Sequence, residues 1–478
     1  MSLVSRNRIY WGVGAGYVVG FIWSRIDGIR FDASTRGFYW QFLASDHMLG
    51  ETPHALWYTH HQPPGFNLLL AITDFFYPAT QARIFEIFYF LLGLAMVLMV
   101  TWLVTYWVGN RWVGLLAGLF LVLLPSTYIY GAWLHYTYLI AFLVVVAVFL
   151  LAAATAWGRA LLAPLSLLAL LGLFLVRSSF AWVFVLFFGA IVVWWSIKIG
   201  AKKNLILAVS VIVVVVVGVF TVRSLVLFGQ ATQSSWGGNM LAAQVWVELA
   251  PNQKQAIGQK YPEFRELLEQ RTPFSELTPE DIEEAKATLA PTAPLAYSEP
   301  FKPNERTNWN FAGFLPLSKQ WQAFAFTAIR EYPEEYIEGV VAATANYFSN
   351  TSCYNWLDVN ASEVIWWRQA TSPLLLLGGA GNNCAGESTN NFVLVPWLFM
   401  FTSVVGAFAL SKRVASGARL TFWFAVLMVL FGAVATNLVA YVEAQRMRME
   451  VDFLLVGTGI AGLAIIVQAF MRKRAKNG

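Results

Sequence analysis

The sequence predicts an all-α membrane protein of about ten helical spans, and three observations carry that expectation. Of 478 residues, 58% are hydrophobic and 12% charged, with a mean hydropathy of +0.57, a composition outside the range of soluble domains of this size. Apolar runs of about 18 or more residues recur along the chain, each long enough to cross a hydrocarbon layer of roughly 30 Å as a helix. The Lys and Arg residues stand at the ends of those runs on alternating sides. The formal net charge of +5 therefore speaks for membrane topology, with the lipid bilayer as partner and no nucleic acid.

The first run, about 9–24, follows Arg6 and Arg8 and lacks a small-x-small cleavage site, so it reads as a retained anchor. Further spans are expected at about 83–107, 112–130, 133–156, 160–177, 179–197, 205–228, 392–410, 419–440 and 451–470. The run from Gly65 to Tyr77 is about a dozen residues long and contains Asp74, which suits an interfacial or re-entrant helix. With that run not crossing, Arg111, Arg159, Lys198, Lys202, Lys203, Lys412, Arg413, Arg419 and the tail cations Arg472, Lys473, Arg474 and Lys476 all fall on one side. The positive-inside rule makes that side cytoplasmic, with both chain ends inside.

Two segments then lie outside: the loop 25–82 within a membrane module 1–228, and a segment 229–391 before the C-terminal helices of 392–478. The loop is rich in aromatic residues (Phe38, Tyr39, Trp40, Phe42, Trp57, Tyr58) and suits short interfacial helices. The outer segment is punctuated by Pro251, Pro262, Pro273, Pro279, Pro291 and Pro294 and dense in charge from Glu263 to Lys286, which predicts a small, partly helical extramembrane unit. It holds the only two cysteines, Cys353 and Cys384. A disulfide closing such a loop contributes about 3 kcal/mol in an oxidising compartment; two unpaired thiols are the alternative. Without neighbouring His they make too few ligands for zinc. Asn350-Thr351-Ser352 and Asn360-Ala361-Ser362 are glycosylation sequons, meaningful only in a eukaryotic lumen.

Candidate chemistry concentrates in the first outer loop. Arg30-Phe31-Asp32-Ala33-Ser34 is followed by His60-His61-Gln62-Pro63-Pro64-Gly65, and an ionisable cluster held at a membrane face marks a site. A carboxylate such as Asp32 takes a proton as a general base or caps a short helix, with Ser34 or Thr35 competing for that role. Asp27, nearer the span, is the second candidate. Pro63-Pro64-Gly65 reads as a helix start, because Pro lacks the donor that a first turn leaves unpaired. Arg177, Arg223, Arg446 and Arg448 are expected at the same face as the histidines, where their forks suit phosphate oxygens; snorkelling from span ends is the alternative for each. Glu443 either orients Arg446 or forms an ordinary surface pair. In Ser234–Asn239, Trp236 and Asn239 suit a sugar ring face and its hydroxyls, or belong to a flexible turn.

In their order and common side these pieces resemble the GT-C superfamily of integral-membrane glycosyltransferases, particularly the protein mannosyltransferase and lipid A sugar transferase branches. The resemblance rests on Asp32 after the first span, His61-Gln62-Pro63-Pro64-Gly65 leading into an apolar helix, Leu175-Val176-Arg177, Arg223 to Gly229 running into Ser234–Asn239, and Glu443 with Arg446-Met447-Arg448. It does not cover about Val245 to Trp397. It implies a GT-C-like bundle in a bacterial inner membrane, with a periplasmic site. There a monosaccharide passes from a polyprenyl-phosphate donor, with inversion, to a glycan, lipid or protein acceptor. Asp32 would be the base; His60, His61, Arg177, Arg223, Arg446 and Arg448 would hold the donor phosphate, and Asp27, Trp236, Asn239 and Glu443 the acceptor or sugar. No cofactor is implied and no metal ligand set stands out, although relatives using lipid-pyrophosphate oligosaccharides employ a divalent metal, which leaves metal dependence open. The chain departs from the pattern at the outer turn between spans three and four, where many relatives carry a carboxylate and this one has His135 and Tyr136. Rival classes are an O-antigen polymerase or ligase, with critical arginines in the large outer loop, a lipid-linked sugar transporter or flippase, and a non-catalytic scaffold. A transporter should show ionisable or broken positions at mid-membrane.

Overall fold

A computed structural model describes residues 3–48, 50–75, 78–363, 366–367, 370–371, 393–410, 416–440 and 443–477. Among the described residues the regular secondary structure is helical, with two isolated β-bridges, Asp32–Trp133 and Phe301–Thr307. The membrane part comprises α1 (Leu3–Ile26), α6 (Pro78–Val108), α7 (Arg111–Leu123), α8 (Pro125–Gly131), α9 (Tyr136–Ala156), α10 (Leu162–Val176), α11 (Trp182–Lys198), α12 (Lys203–Phe228) and, after the outer segment, α21 (Leu394–Ala409), α22 (Ser416–Asn437) and α23 (Ala444–Asn477). The first outer loop carries α2 (Thr35–Phe38), α3 (Ser45–Met48), α4 (Thr52–Trp57) and α5 (Gly65–Asp74).

Among the described residues the expected spans fall on helices, with 112–130 divided between α7 and α8. Among the described residues five helices, including α9 and α12, are long and apolar enough to cross a membrane, and six if α7 and α8 form one span. These mark the chain as a membrane protein. Helices α10, α11 and α21 have 15, 17 and 16 residues; at the helical rise they reach about 23–26 Å, short of a roughly 30 Å core. Helix α1 has the length at 24 residues, but its Gly, Tyr and Trp residues dilute its hydropathy. The expected span 112–130 is bent by 58° between α7 and α8, where Pro125 opens the second helix without an N–H to donate. The last helix starts at Ala444, seven residues before its predicted boundary, and carries Arg446, Arg448, Glu450 and Asp452 in its opening turns.

Helix ends follow local chemistry. Asn110 caps α7 by accepting from Trp112 N at 2.9 Å. Gly229, at φ 64°, closes α12 in the left-handed conformation while its N–H and that of Gln230 satisfy Leu225 O and Ser224 O. Helix α9 lies at the centre of the bundle, against α6, α10, α22 and α23, whereas α12 lies at the edge with only 22% of its most apolar stretch buried. Small residues bring α21 and α23 together: Gly406 stands so close to Gly462 that a Cβ would meet its Cα, and Ser403 Oγ donates to Thr458 Oγ1 at 2.9 Å.

The outer segment builds a second core. Helices α13 (Trp236–Trp246), α14 (Pro251–Lys260), α15 (Arg265–Gln270), α16 (Pro279–Thr288), α17 (Leu295–Ser298), α18 (Phe314–Glu331), α19 (Pro333–Tyr347) and α20 (Asp358–Ala361) follow one another, and Trp236, Trp309, Phe314, Trp321 and Phe324 form its centre. The first outer loop packs inward, with Tyr39, Phe42 and Leu43 between α2 and α3, and Phe66 and Leu70 of α5, in the main core. Helix α5 docks on the end of α10: Gln62 Nε2 donates to Val176 O at 3.0 Å, and a Cβ on Gly65 would come within 2.6 Å of Leu175 O. A carbonyl cannot yield as a flexible side chain does, so Gly65→Val is expected to destabilise the protein by about 1–3 kcal/mol. Thermal unfolding of the purified variant checks this, with Gly12→Ala, at a site open within 4 Å, as the control expected to cost nothing.

Candidate functional site

The extended stretch between α8 and α9 is the axis of the site. It pairs with the first outer loop through Asp32: Asp32 N donates to Ala132 O at 2.7 Å, and Leu134 N donates to Asp32 O at 2.9 Å. Thr35 Oγ1 adds a 2.6 Å bond to Leu134 O. Two residues earlier, the Asn360 side chain accepts from Arg30 N at 2.8 Å and donates to Arg30 O at 2.9 Å, so backbone bonds fix the segment at both ends. Asp32 is 9% exposed. Its Oδ1 accepts from both the backbone N–H and the hydroxyl of Ser34, a side-chain turn that precedes α2, and neither Asp32 nor Ser34 makes a side-chain capping bond to that helix. Oδ2 lies outside that turn. Asp32 lines none of the described cavities.

Beside this segment four charges are buried together. Tyr136 is their hub: its hydroxyl accepts from Arg177 Nη1 at 2.5 Å and donates to Gln41 Oε1 at 2.5 Å, with Arg446 Nη1 at 3.5 Å. Arg446, fully buried, also donates to Thr137 Oγ1 at 3.1 Å and to Glu443 Oε2 at 2.6 Å. Glu443 Oε1 in turn accepts from the Tyr354 hydroxyl at 3.0 Å. Arg177 Nε faces Glu450 Oε1 at 3.5 Å, an ion pair without a hydrogen bond. Nε of Arg177 and of Arg446, Oε1 of Glu450, Nε2 of His135 and Nε1 of Trp133 are all buried without a hydrogen-bond partner among the described residues. His135 stacks on Trp133 with ring centroids 4.1 Å apart and meets Tyr136 at 4.0 Å, so these atoms belong to one neighbourhood. A buried polar group left without a hydrogen bond costs about 1–3 kcal/mol; the ion pair between Arg177 Nε and Glu450 Oε1 offsets part of that cost for those two.

Of the six residues expected at a donor phosphate, the structure brings Arg177 and Arg446 together. Arg448 turns elsewhere, donating to Asp452 Oδ1 at 3.0 Å and Tyr347 O at 2.6 Å beside a water-sized cavity of about 30 Å³. Arg223 donates to Thr59 O at 3.0 Å on the outer side of the bundle. His60 and His61 pin the loop to the outer segment. His60 Nδ1 pairs with Ser235 Oγ at 2.8 Å and its Nε2 with Asn310 O at 3.0 Å, while His61 Nδ1 pairs with Asn310 Oδ1 at 2.9 Å.

Burial holds His60 down to about 3, with the neighbouring His61 adding to the effect, and holds His61 down to about 4. Both rings are neutral in the fold, whereas in the unfolded chain they gain protons near 6.5. The stability they contribute is therefore complete above pH 6.5 and is lost as pH falls from there toward 4 and 3. Melting temperature is expected to decline between pH 7 and pH 5, and His60→Gln/His61→Gln to flatten that decline; an unchanged slope in the variant contradicts the assignment.

Among the expected acceptor or sugar residues, Asp27 Oδ2 accepts from Trp366 Nε1, and Glu443 belongs to the Tyr136 cluster. Trp236 is 6% exposed, its ring edge-on to Trp309 at 4.8 Å in the second core, and Asn239 Nδ2 donates to Pro273 O at 2.6 Å. Cys353 is disulfide-bonded; Cys384, its expected partner, lies outside the described residues. The sequon asparagines are 5% and 3% exposed and hydrogen-bonded by their side chains, so neither is open to a glycan. Among the described residues no group of three or more His, Cys, Asp or Glu side chains could hold a metal ion.

Several residues escaped the sequence reading. Glu450 carried a signal, a carboxylate four residues after Arg446 inside an apolar helix. Asn310 and Asn360 act through single side chains on distant backbone and carried none. Lys302 is 4% exposed and donates to Tyr39 O at 2.8 Å; burial, then the charges of Arg36 and Arg306, pulls its amine down to about 7. Comparison with family models, with curated proteins and with solved structures returns no match.

Proposed function

We propose that this protein is a membrane glycosyltransferase of GT-C type. It would move a monosaccharide from a polyprenyl-phosphate donor to an acceptor at the membrane face that carries Asp32. The observation that supports this reading is the adjacency of two elements: a carboxylate fixed by backbone pairing, and a buried Arg177–Tyr136–Arg446 centre with unpartnered polar atoms. In inverting transfer the acceptor oxygen attacks the anomeric carbon, the bond from that carbon to the phosphate oxygen breaks, and the lipid phosphate departs with the electron pair. Asp32 takes the acceptor's proton through Oδ2. Arg177 and Arg446 meet the charge that grows on the leaving phosphate, in a site where burial makes each interaction stronger than in water. Tyr136, held between the two guanidinium groups, fixes their spacing.

One observation favours a second reading. Each buried cation of the cluster has a carboxylate of its own, Arg446 with Glu443 and Arg177 with Glu450, which is what a purely structural network requires. The deciding experiment supplies labelled polyprenyl-phosphate sugar to membranes containing the protein and follows label into lipid, glycan and protein fractions. Transfer supports the enzyme. Label that crosses the bilayer without transfer favours a flippase, and no movement favours a scaffold.

A further inference from the structure

Arg223 has a neighbourhood unlike that of the other cations. It stands near the end of α12, 3% exposed, with Phe220, Phe228 and Trp57 rings 5.1, 5.4 and 6.0 Å from its guanidinium carbon. Its Nη2 is bonded to Thr59 O and Ser224 Oγ, but Nε and Nη1 are buried without a partner, and no carboxylate pairs with it among the described residues. A buried guanidinium with no counter-charge is costly unless something outside the chain supplies one.

The same residue lines a groove of about 600 Å³ along α12, walled by Val215, Gly218, Val219 and Val222 and overhung by Trp57 of α4. Helix α12 is the least buried of the five long apolar helices, so the groove opens toward lipid. Gly218 keeps it hollow: a Cβ there would meet nothing within 4 Å. An apolar trough ending at an unpaired cation matches a hydrocarbon chain that carries an anionic head.

We propose that this groove binds an anionic phospholipid of the surrounding bilayer, with an acyl chain along the valines and the phosphate on Arg223. The groove shares no lining residue with the Tyr136 cluster, which separates its occupant from the sugar donor. Arg223 thereby changes role, from a donor contact to the anchor of a resident lipid that seats α4 against α12.

The test is melting temperature of the protein in neutral detergent, titrated separately with phosphatidylglycerol, diacylglycerol of the same chains, inorganic phosphate and polyprenyl phosphate. Phosphatidylglycerol is expected to raise it by a few degrees at about 100 times its Kd, with diacylglycerol and inorganic phosphate inactive. Gly218→Leu, whose Cβ would meet nothing within 4 Å and whose side chain would occupy the trough, is expected to abolish the shift, and Arg223→Met to reduce phosphatidylglycerol to the level of diacylglycerol. Equal shifts from diacylglycerol and phosphatidylglycerol would overturn the proposal, as would a shift from inorganic phosphate alone or a phosphatidylglycerol shift that survives Gly218→Leu. A polyprenyl-phosphate shift that Gly218→Leu abolishes, with phosphatidylglycerol silent, would give the groove to the donor instead. The readout is binding, so it stands or falls apart from any transfer activity.

Discussion

Asp32→Asn is expected to lower sugar transfer by about 10²–10⁴-fold, the usual contribution of a positioned base, while leaving the melting temperature where it is. The two halves of that expectation come from the two oxygens of one side chain. Oδ1 holds the Ser34 turn, and the amide oxygen of Asn accepts those bonds equally well. The segment itself is fixed by backbone pairing with Ala132 and Leu134 and by the Asn360 clamp on Arg30, none of which the substitution removes. Only proton uptake at the second position is lost. Turnover measured with labelled polyprenyl-phosphate sugar, alongside unfolding of the same preparation, separates the outcomes. An active, stable variant would mean that Asp32 is a turn residue and nothing more, and would move the reading toward the ligase-like class or a scaffold.

For Arg446→Met the expected loss falls first on stability, by about 3–5 kcal/mol, because a buried Glu443 is left without its cation. Met nearly matches the volume of the apolar stem, so the cost is electrostatic and not a cavity. Arg446→Met/Glu443→Gln removes both charges and is expected to recover most of the loss, since a neutral pair in the same space has little to desolvate. Activity then decides between the two readings of the cluster. A structural network predicts that the stable double variant transfers sugar normally; phosphate binding by Arg446 predicts that it remains inactive. The measurement is unfolding by denaturant for all three proteins, followed by initial transfer rates on those that fold.

The membrane class, the order of the helices and the common end of the candidate residues are written in local features of the chain. Hydropathy is a property of about 20 consecutive residues, and a Pro such as Pro125 or a Gly such as Gly229 acts on its own turn. Apolar character marks α10, α11 and α21 as surely as the longer helices, and only their 15, 17 and 16 residues set them apart.

What the sequence determined by itself was thus a helical membrane protein with Asp32 and the two histidines in one loop. Which cations meet was decided by tertiary structure alone. Arg177 and Arg446 converge on Tyr136 from 41 and 310 residues away, Arg448 turns to Asp452, and Arg223 is left at the edge of the bundle. A guanidinium on a helix end has the same sequence signature whether it pairs, snorkels or grips a ligand. Only the packing of distant helices sets the partner within reach, and the steep cost of an unpaired buried charge then makes that placement matter.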